Sequence, residues 1–398
     1  MSTLNPHVVA TFAPPVMEAR RWLATAHFPA DRPLLNLSQA APADPPPEPL
    51  RRAMAEIVLN EPAAHMYGAV LGLAELRERV AQDWSAAYGG RLEAAQVAIT
   101  SGCNQAFSAA VSILAGEGDN VILPLPYYFN HKMWLDMNGI EARTLDTGDD
   151  LLPDPEAAGA LIDARTRAIV LVSPNNPGGV EYPAPLLAAF RDLCRARGIA
   201  LVVDETYRDF HAKAGAPHDL FADPDWDDTL IQLYSFSKAY RLTGHRVGAI
   251  VASRDRLAEV EKWLDTVAIC PTGLGQRAAL WGLENLGDWL AGERRELLAR
   301  RAAMEAGFAA RGDWPLLGCG AYFAYVAHPF DAPSDAVARA LVSRASLLVL
   351  PGTMFGPGRA EGGTGRAEAT LRIAFANADL AGIATLFDRL DAVARSGL

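Results

Sequence analysis

From residue 97 onward, short apolar runs return at intervals: VAIT, NVILPL, AIVLVSP, IALVVDE, TLIQLYS and VGAIVAS. They are too short to be helices and do not alternate apolar with polar, so they read as strands buried on both faces. Helical stretches lie between them. NQAFSAAVSILA follows the first run, and APLLAAFRDLCRARG separates the third from the fourth. In that second stretch Leu186, Leu187, Phe190, Leu193 and Cys194 share one helical face, and Gly198 closes it. Buried strands alternating with helices require an α/β fold with a mostly parallel sheet flanked by helices. Sheets of this kind hold ligands beyond the carboxyl ends of their strands.

The rest of the chain is organised differently. APADPPPEPL (41–50) has five prolines in ten residues and reads as an extended connector, neither helix nor central strand. Before it, PPVMEARRWLATA predicts a short helix in an N-terminal arm. After residue 275 the pattern turns helical, and a mixed α+β region follows. We therefore expect a large domain over 46–290 and a smaller α+β domain built from 1–45 and 291–398. The segment GPGRAEGGTGRAE (356–368) is expected to be a mobile loop from its glycine content.

Composition excludes several roles. A net charge of −11 argues against a nucleic-acid partner. Cys103, Cys194, Cys270 and Cys319 are far apart and form no C-x-x-C pair, which suits buried reduced thiols. No basic-then-apolar leader opens MSTLNPHVVATFAPP, and no apolar run approaches the ~20 residues of a membrane span. The expectation is a cytoplasmic protein with no metal and no membrane partner.

Polar residues gather at the predicted strand ends. ITSGCNQA puts Gly102 at a strand-to-helix junction, where the N–H groups of Cys103 and Asn104 face an anion or simply complete a turn. Asn176 in VSPNNPGG reads as a turn former or a site residue. Asp204 ends the apolar run of LVVDETY, where a carboxylate needs a cation, a helix cap or an ion pair. Lys238 follows Ser235 and Ser237 in SFSKAYRLTGHRVG, with Arg246 beyond. Lysine is scarce here, four against 32 arginines. A lone lysine is ordinarily a surface group, but order matters. Asn176, Asp204, Lys238 and Arg246 follow at gaps of 28, 34 and 8 residues on successive strands. Pyridoxal phosphate needs such parts: an amine, an acid for the ring nitrogen, a donor to the ring hydroxyl and a phosphate cradle.

Over nearly the whole chain, from about residue 30, the sequence resembles the class I/II pyridoxal-phosphate-dependent aminotransferases of fold type I, similar to aspartate aminotransferases. YGAVLGLAELR, SPNNPGG, DETYRDF, SFSKAYRLTGHRVG and LRIAFAN carry the likeness. The resemblance implies that Lys238 holds the cofactor and moves protons, and that Asp204 keeps the ring nitrogen protonated. It implies that Asn176 and Tyr207 bond the ring hydroxyl and that Tyr128 stacks on the ring. Ser235, Ser237, Arg246, Cys103 and Asn104 would hold the phosphate. Tyr67 would reach the neighbouring subunit's phosphate, which implies a homodimer with shared sites. Arg372 would grip the substrate α-carboxylate, with Ala40 and Asn176 nearby.

The chain also departs from the family pattern. Ala40, preceded by Gln39, stands where the family usually has glycine, and His245 where it usually has tryptophan. Arg359 and Arg366 are rival carboxylate grips, while Arg20, Arg21 and Arg32 are candidates for a distal substrate carboxylate. The expected reaction moves an amino group between an amino acid and a 2-oxo acid. A C–S β-lyase or other carbanion chemistry on the same fold is the alternative. A non-catalytic cofactor sensor is the reading from another class, disfavoured by the lack of a basic N-terminal extension.

Overall fold

The computed structural model describes residues 4–397. Each of the six apolar runs forms a strand, and one polar segment adds a seventh. The strands are β1 (Val97–Thr100), β2 (Asn120–Pro124), β3 (Glu141–Leu145), β4 (Thr166–Val172), β5 (Ala200–Asp204), β6 (Leu230–Ser235) and β7 (Gly248–Val251). They form one sheet in the order β1-β7-β6-β5-β4-β2-β3. β6, β5, β4, β2 and β3 are parallel neighbours. The run VGAIVAS departs from that pattern: β7 is antiparallel to both β1 and β6. That reversal has a consequence. β7 starts at the edge where the parallel strands end, so Arg246, two residues before it, arrives beside their carboxyl ends. The strand β3 had no apolar run to announce it, because it is the outer edge and most of its side chains stay part-exposed.

Alternating residues of the sheet feed two cores. Ile99, Ile122, Ile169, Leu171, Leu201 and Val203 pack with Trp84 and Tyr88, and with Leu187, Phe190 and Cys194 of the helix Ala184–Arg197. Val121, Val170, Val202 and Ile231 pack on the other side with Ala106, Phe107 and Ala110 of the helix Cys103–Ser112. Gly198 closes Ala184–Arg197 in the left-handed region at φ 63°, a conformation glycine adopts without Cβ strain. Truncating fully buried Leu187 to alanine should cost about 2–5 kcal/mol.

A second, four-stranded antiparallel sheet orders Leu350–Pro351, Thr370–Ile373, Phe323–Ala327 and Leu316–Gly320. The chain ahead of the connector joins this region through a two-stranded sheet, in which Leu35–Asn36 pairs in parallel with Leu347–Leu348. A third core gathers Ala19, Trp22 and Leu37 with Leu341, Leu371 and Phe387. The arm helix spans Pro15–Ala24. The proline-rich connector ends earlier than its composition suggests: the helix Glu48–Asn60 begins inside it, with Pro49 in the first turn, where its missing N–H is harmless. The glycine-rich loop 356–368 is tied internally, with Gly363 N–H donating to the Gly358 carbonyl at 2.9 Å and Arg359 N–H to Glu368 Oε1 at 2.9 Å. Among the described residues no helix is long and apolar enough to cross a membrane.

Candidate active site

A cavity of about 180 Å³ opens at the carboxyl ends of β4, β5 and β6. Cys103, Asn104, Tyr128, Asn176, Asp204, Tyr207, Ser235, Ser237, Lys238 and Arg246 all line it. So do Val172 and Thr206, which no motif singled out.

One end of the cavity suits an anion. Cys103 and Asn104 open the helix Cys103–Ser112, where the first N–H groups of any helix lack an intrahelical acceptor. Gly102 sits at φ 90°, and a Cβ there would lie 2.2 Å from Arg246 Nη2. A Cβ on Gly248 would meet the Gly102 carbonyl carbon at 2.7 Å and Cys103 N at 2.8 Å. The two glycines let three segments close into a cradle no side chain could share. Arg246 spans it, donating to the Thr243 carbonyl (3.1 Å), Ser237 Oγ (3.4 Å) and the Ser101 carbonyl (3.4 Å). Ser235 caps the short helix Phe236–Ala239, and that turn presents Ser237 and Lys238 to the cavity.

Asp204 lies buried at the end of β5. Its Oδ1 accepts from Thr206 N–H at 2.9 Å and its Oδ2 lies 3.3 Å from His131 Nε2. Burial opposes the charge, but contact with His131 and the Thr206 hydrogen bonds outweigh it and hold the carboxyl below its usual range. His131 is the main residue that sequence reading missed. It stacks on Phe107 with centroids 3.9 Å apart and stands edge-on to Tyr128 at 5.0 Å. Its position one helical turn after the Tyr128 segment was the available signal.

Lys238 donates to the Ala40 carbonyl at 2.5 Å, and its Nζ lies 5.9 Å from the Tyr207 ring centre. Burial, with Arg246 and Arg372 nearby, lowers the amine to about 8. Burial also pushes the Tyr207 and Tyr128 hydroxyls well above 10, so both remain neutral donors. The Cys103 thiol is raised likewise, by burial and then by Asp204.

Arg372 stands outside the cavity lining, on the second sheet, and bridges two parts of the chain. It donates from Nη1 to Asn176 Oδ1 at 3.0 Å and from Nη2 to the Ser38 carbonyl. Phe355 and Phe323 flank its guanidinium at 4.7 and 5.1 Å. Its Nε is buried with no hydrogen-bond partner. Burial lowers the group to about 10, which leaves it charged at neutral pH.

Other candidates lie elsewhere. Tyr67 is 81% exposed and far from forming a wall of this cavity. Arg366 is engaged with the Thr147 and Gly148 carbonyls and Asp149, and Arg359 sits against Glu368. Arg21 pairs with Glu18, whereas Arg20 reaches Gln39 Oε1 at 3.3 Å. His245 does not line the cavity.

The profile of the family described as aminotransferase class I and II matches residues 32–390. The chain is 30% identical over 364 residues to the aromatic aminotransferase ISS1 of Arabidopsis thaliana, with 89% of each chain covered. It is 30% identical over 363 residues to the arginine–pyruvate transaminase AruH of Pseudomonas aeruginosa, covering 88% of this chain and 91% of that one. Among solved structures, an aminotransferase from Mycobacterium tuberculosis superposes with a TM-score of 0.86 at 26% identity over the whole of both chains. A Thermus thermophilus aspartate aminotransferase mutant shares the fold, with a TM-score of 0.87 over 99% of this chain and 100% of that one at 22% identity.

Proposed function

The chain belongs to the aminotransferase class I and II family, and we propose that it carries pyridoxal phosphate on Lys238 to move amino groups between an amino acid and a 2-oxo acid. The observation that carries this is the one lysine amine lining the cavity, standing between an anion cradle and a buried carboxylate with Arg372 nearby. The residues fit the group. Gly102 and Gly248 keep space for a phosphate that Cys103, Asn104, Ser235, Ser237 and Arg246 would hold. Asp204 would face the ring nitrogen, Asn176 and Tyr207 the ring hydroxyl, and Tyr128 the ring face.

When bound, pyridoxal phosphate supplies an electron-accepting ring that stabilises negative charge on the substrate Cα. The protein's own residues do the rest. Arg372 would grip the α-carboxylate with its free donors, fixing the Cα–H bond for removal, while Asn176 steadies the guanidinium. An amine lowered to about 8 is in part neutral at working pH, so Lys238 Nζ can take that proton and return it. Ala40 O accepts from the amine at 2.5 Å and thereby limits its direction. Relatives named for aromatic amino acids, for valine and for arginine all share this chain's likeness, so the likeness alone selects no substrate side chain.

Three further features belong to the proposal. A large domain over 46–290 and a small one from 1–45 and 291–398 are supported by the sheets, since the seven-stranded one lies within 97–251 and the four-stranded and two-stranded ones draw on 35–36 and 316–373. A homodimer with shared sites is supported by Tyr67, 81% exposed beside Met66 (70%), with Leu59 also exposed (77%). Four unpaired cysteine thiols support a reducing compartment, the cytoplasm.

The test is a panel of amino donors offered without an acceptor. Transamination releases one oxo acid per site and no ammonia, and turns over only when pyruvate or 2-oxoglutarate is added. Sustained ammonia release across the panel would replace this reading with the lyase.

A further inference from the structure

Asp204 and Glu205 are consecutive, and successive side chains of a strand point to opposite sides. Asp204 meets His131, which stacks on Phe107 in the core on the side of the helix Cys103–Ser112. Glu205 enters the opposite core, among Trp84, Tyr88 and Phe221. It is 1% exposed. A buried carboxylate there is costly unless donors surround it.

Donors do surround it. Tyr88 OH donates to Glu205 Oε2 at 2.8 Å. Gln232 Nε2, from the middle of β6, donates to the same oxygen, and Trp84 Nε1 holds Gln232 Oε1 at 2.7 Å. His218 Nε2 lies 3.1 Å from Glu205 Oε2. Leu220 N–H donates to His218 Nδ1 at 3.2 Å, so the ring hydrogen sits on Nε2 and points at the carboxylate. Tyr88 and His218 stack with centroids 4.6 Å apart. Two further ionisable groups lie beside the cluster, and Arg208 Nη1 is buried with no hydrogen-bond partner. Arg208 lies over the Trp84 ring at 3.8 Å, and Asp209 accepts from Tyr234 OH at 2.6 Å.

The cluster therefore joins three elements to one backbone position: the end of the helix Ala74–Tyr88, the centre of β6 and the long loop after β5. Glu205 N–H donates to the Leu233 carbonyl at 2.9 Å, carrying the sheet ladder one residue past Asp204. The Glu205 carbonyl accepts from Arg208 N–H at 3.0 Å, starting the turn that presents Tyr207. The cluster has no access to the cavity and cannot react with substrate. Its effect is on the backbone that aims Asp204.

We propose that Glu205 is a positioning residue for Asp204, its buried hydrogen-bonded carboxylate clamping the end of β5 so that Asp204 keeps its direction in the site. This rests on the role assigned to Asp204 above. A carboxylate that acts by alignment loses effect when its support loosens, even though its chemistry is intact.

The test compares Glu205→Gln, which keeps size and one acceptor but removes the charge, with Asp204→Asn in the cofactor-loaded enzyme. Glu205→Gln is expected to keep bound cofactor and leave the amino-acid KM within about twofold, because Arg372 is untouched, while kcat falls about tenfold. The pH at which the bound cofactor's absorbance titrates should shift in the same direction as in Asp204→Asn, a readout that loss of folded protein would not move. Should Glu205→Gln fail to accumulate folded, Tyr88→Phe removes one donor with the ring in place and is judged by the same measurements. If Asp204→Asn loses turnover while the tested variant keeps wild-type kcat and titration, the inference is overturned and the site reading stands. If Asp204→Asn itself retains turnover, the site reading fails and this inference with it.

Discussion

Lys238 donates from Nζ to the Ala40 carbonyl at 2.5 Å, joining residues 198 positions apart in sequence. The amine comes from the turn after β6 and the carbonyl from the segment that follows Leu35–Asn36, which pairs with Leu347–Leu348. Their contact keeps the only cavity-lining lysine directed while burial lowers it to about 8.

The rate at which the cofactor-free protein captures pyridoxal phosphate should therefore rise with pH through about 8, as the neutral, nucleophilic form of Lys238 grows from about a tenth at pH 7. Borohydride reduction and peptide mapping should label Lys238 alone. Lys132 is held by Asp136 at 2.6 Å and Lys262 by Glu259 at 2.7 Å, both on exposed or part-exposed helix faces. Label on another lysine, or a midpoint near that of a free lysine, would overturn the assignment.

Asp204→Ala should lose far more turnover than cofactor occupancy, since the phosphate cradle is untouched. A fall in kcat of less than about tenfold, equivalent to about 1.4 kcal/mol, would rule out the proposed role at the ring nitrogen.

Arg372→Lys should raise the amino-acid KM by about tenfold or more, because an ammonium cannot reproduce a planar fork of donors. The same change takes the planar guanidinium away from Asn176 Oδ1 and from between Phe323 and Phe355. Steady-state kinetics with one good donor decide it: an unchanged KM would move the carboxylate grip elsewhere.

Acid should destabilise the fold through β5. Burial works against the charged forms of Asp204 and Glu205, yet contact with His131 and with His218 outweighs it and lowers both carboxyls. A folded pKa below the unfolded one adds stability above the unfolded value, about 4 to 4.5, and that stability is lost as pH falls through the folded value. Unfolding followed by tryptophan fluorescence should show a steep loss below about pH 4.5 that Glu205→Gln makes shallower. An identical acid limb in the variant would contradict the assignment of charge to Glu205.

Much of this molecule was legible in its residues, because strand burial and helix periodicity are local. The six apolar runs, the left-handed stop at Gly198 and the polar residues at strand ends follow from side-chain size and backbone freedom alone. The order of motifs was legible too, since Asn176, Asp204, Lys238 and Arg246 each follow or precede a readable strand. Direction and partnership were not. β7 runs antiparallel, and only the folded sheet brings Arg246 back to the edge where β4, β5 and β6 end. His131 belongs to none of the motifs, and only folding sets it 3.3 Å from Asp204. Arg359, Arg366 and Arg372 are one residue type within 14 positions, yet distant chain buries Arg372 against Asn176 and Ser38 with its Nε unpartnered, while carbonyls and acids closer to the surface engage the others. Glu205 shows the same division most sharply. Its neighbour in sequence, Asp204, faces the cavity, but the donors that make a buried charge tolerable come from residues 88, 218 and 232, which only the tertiary structure brings to one place.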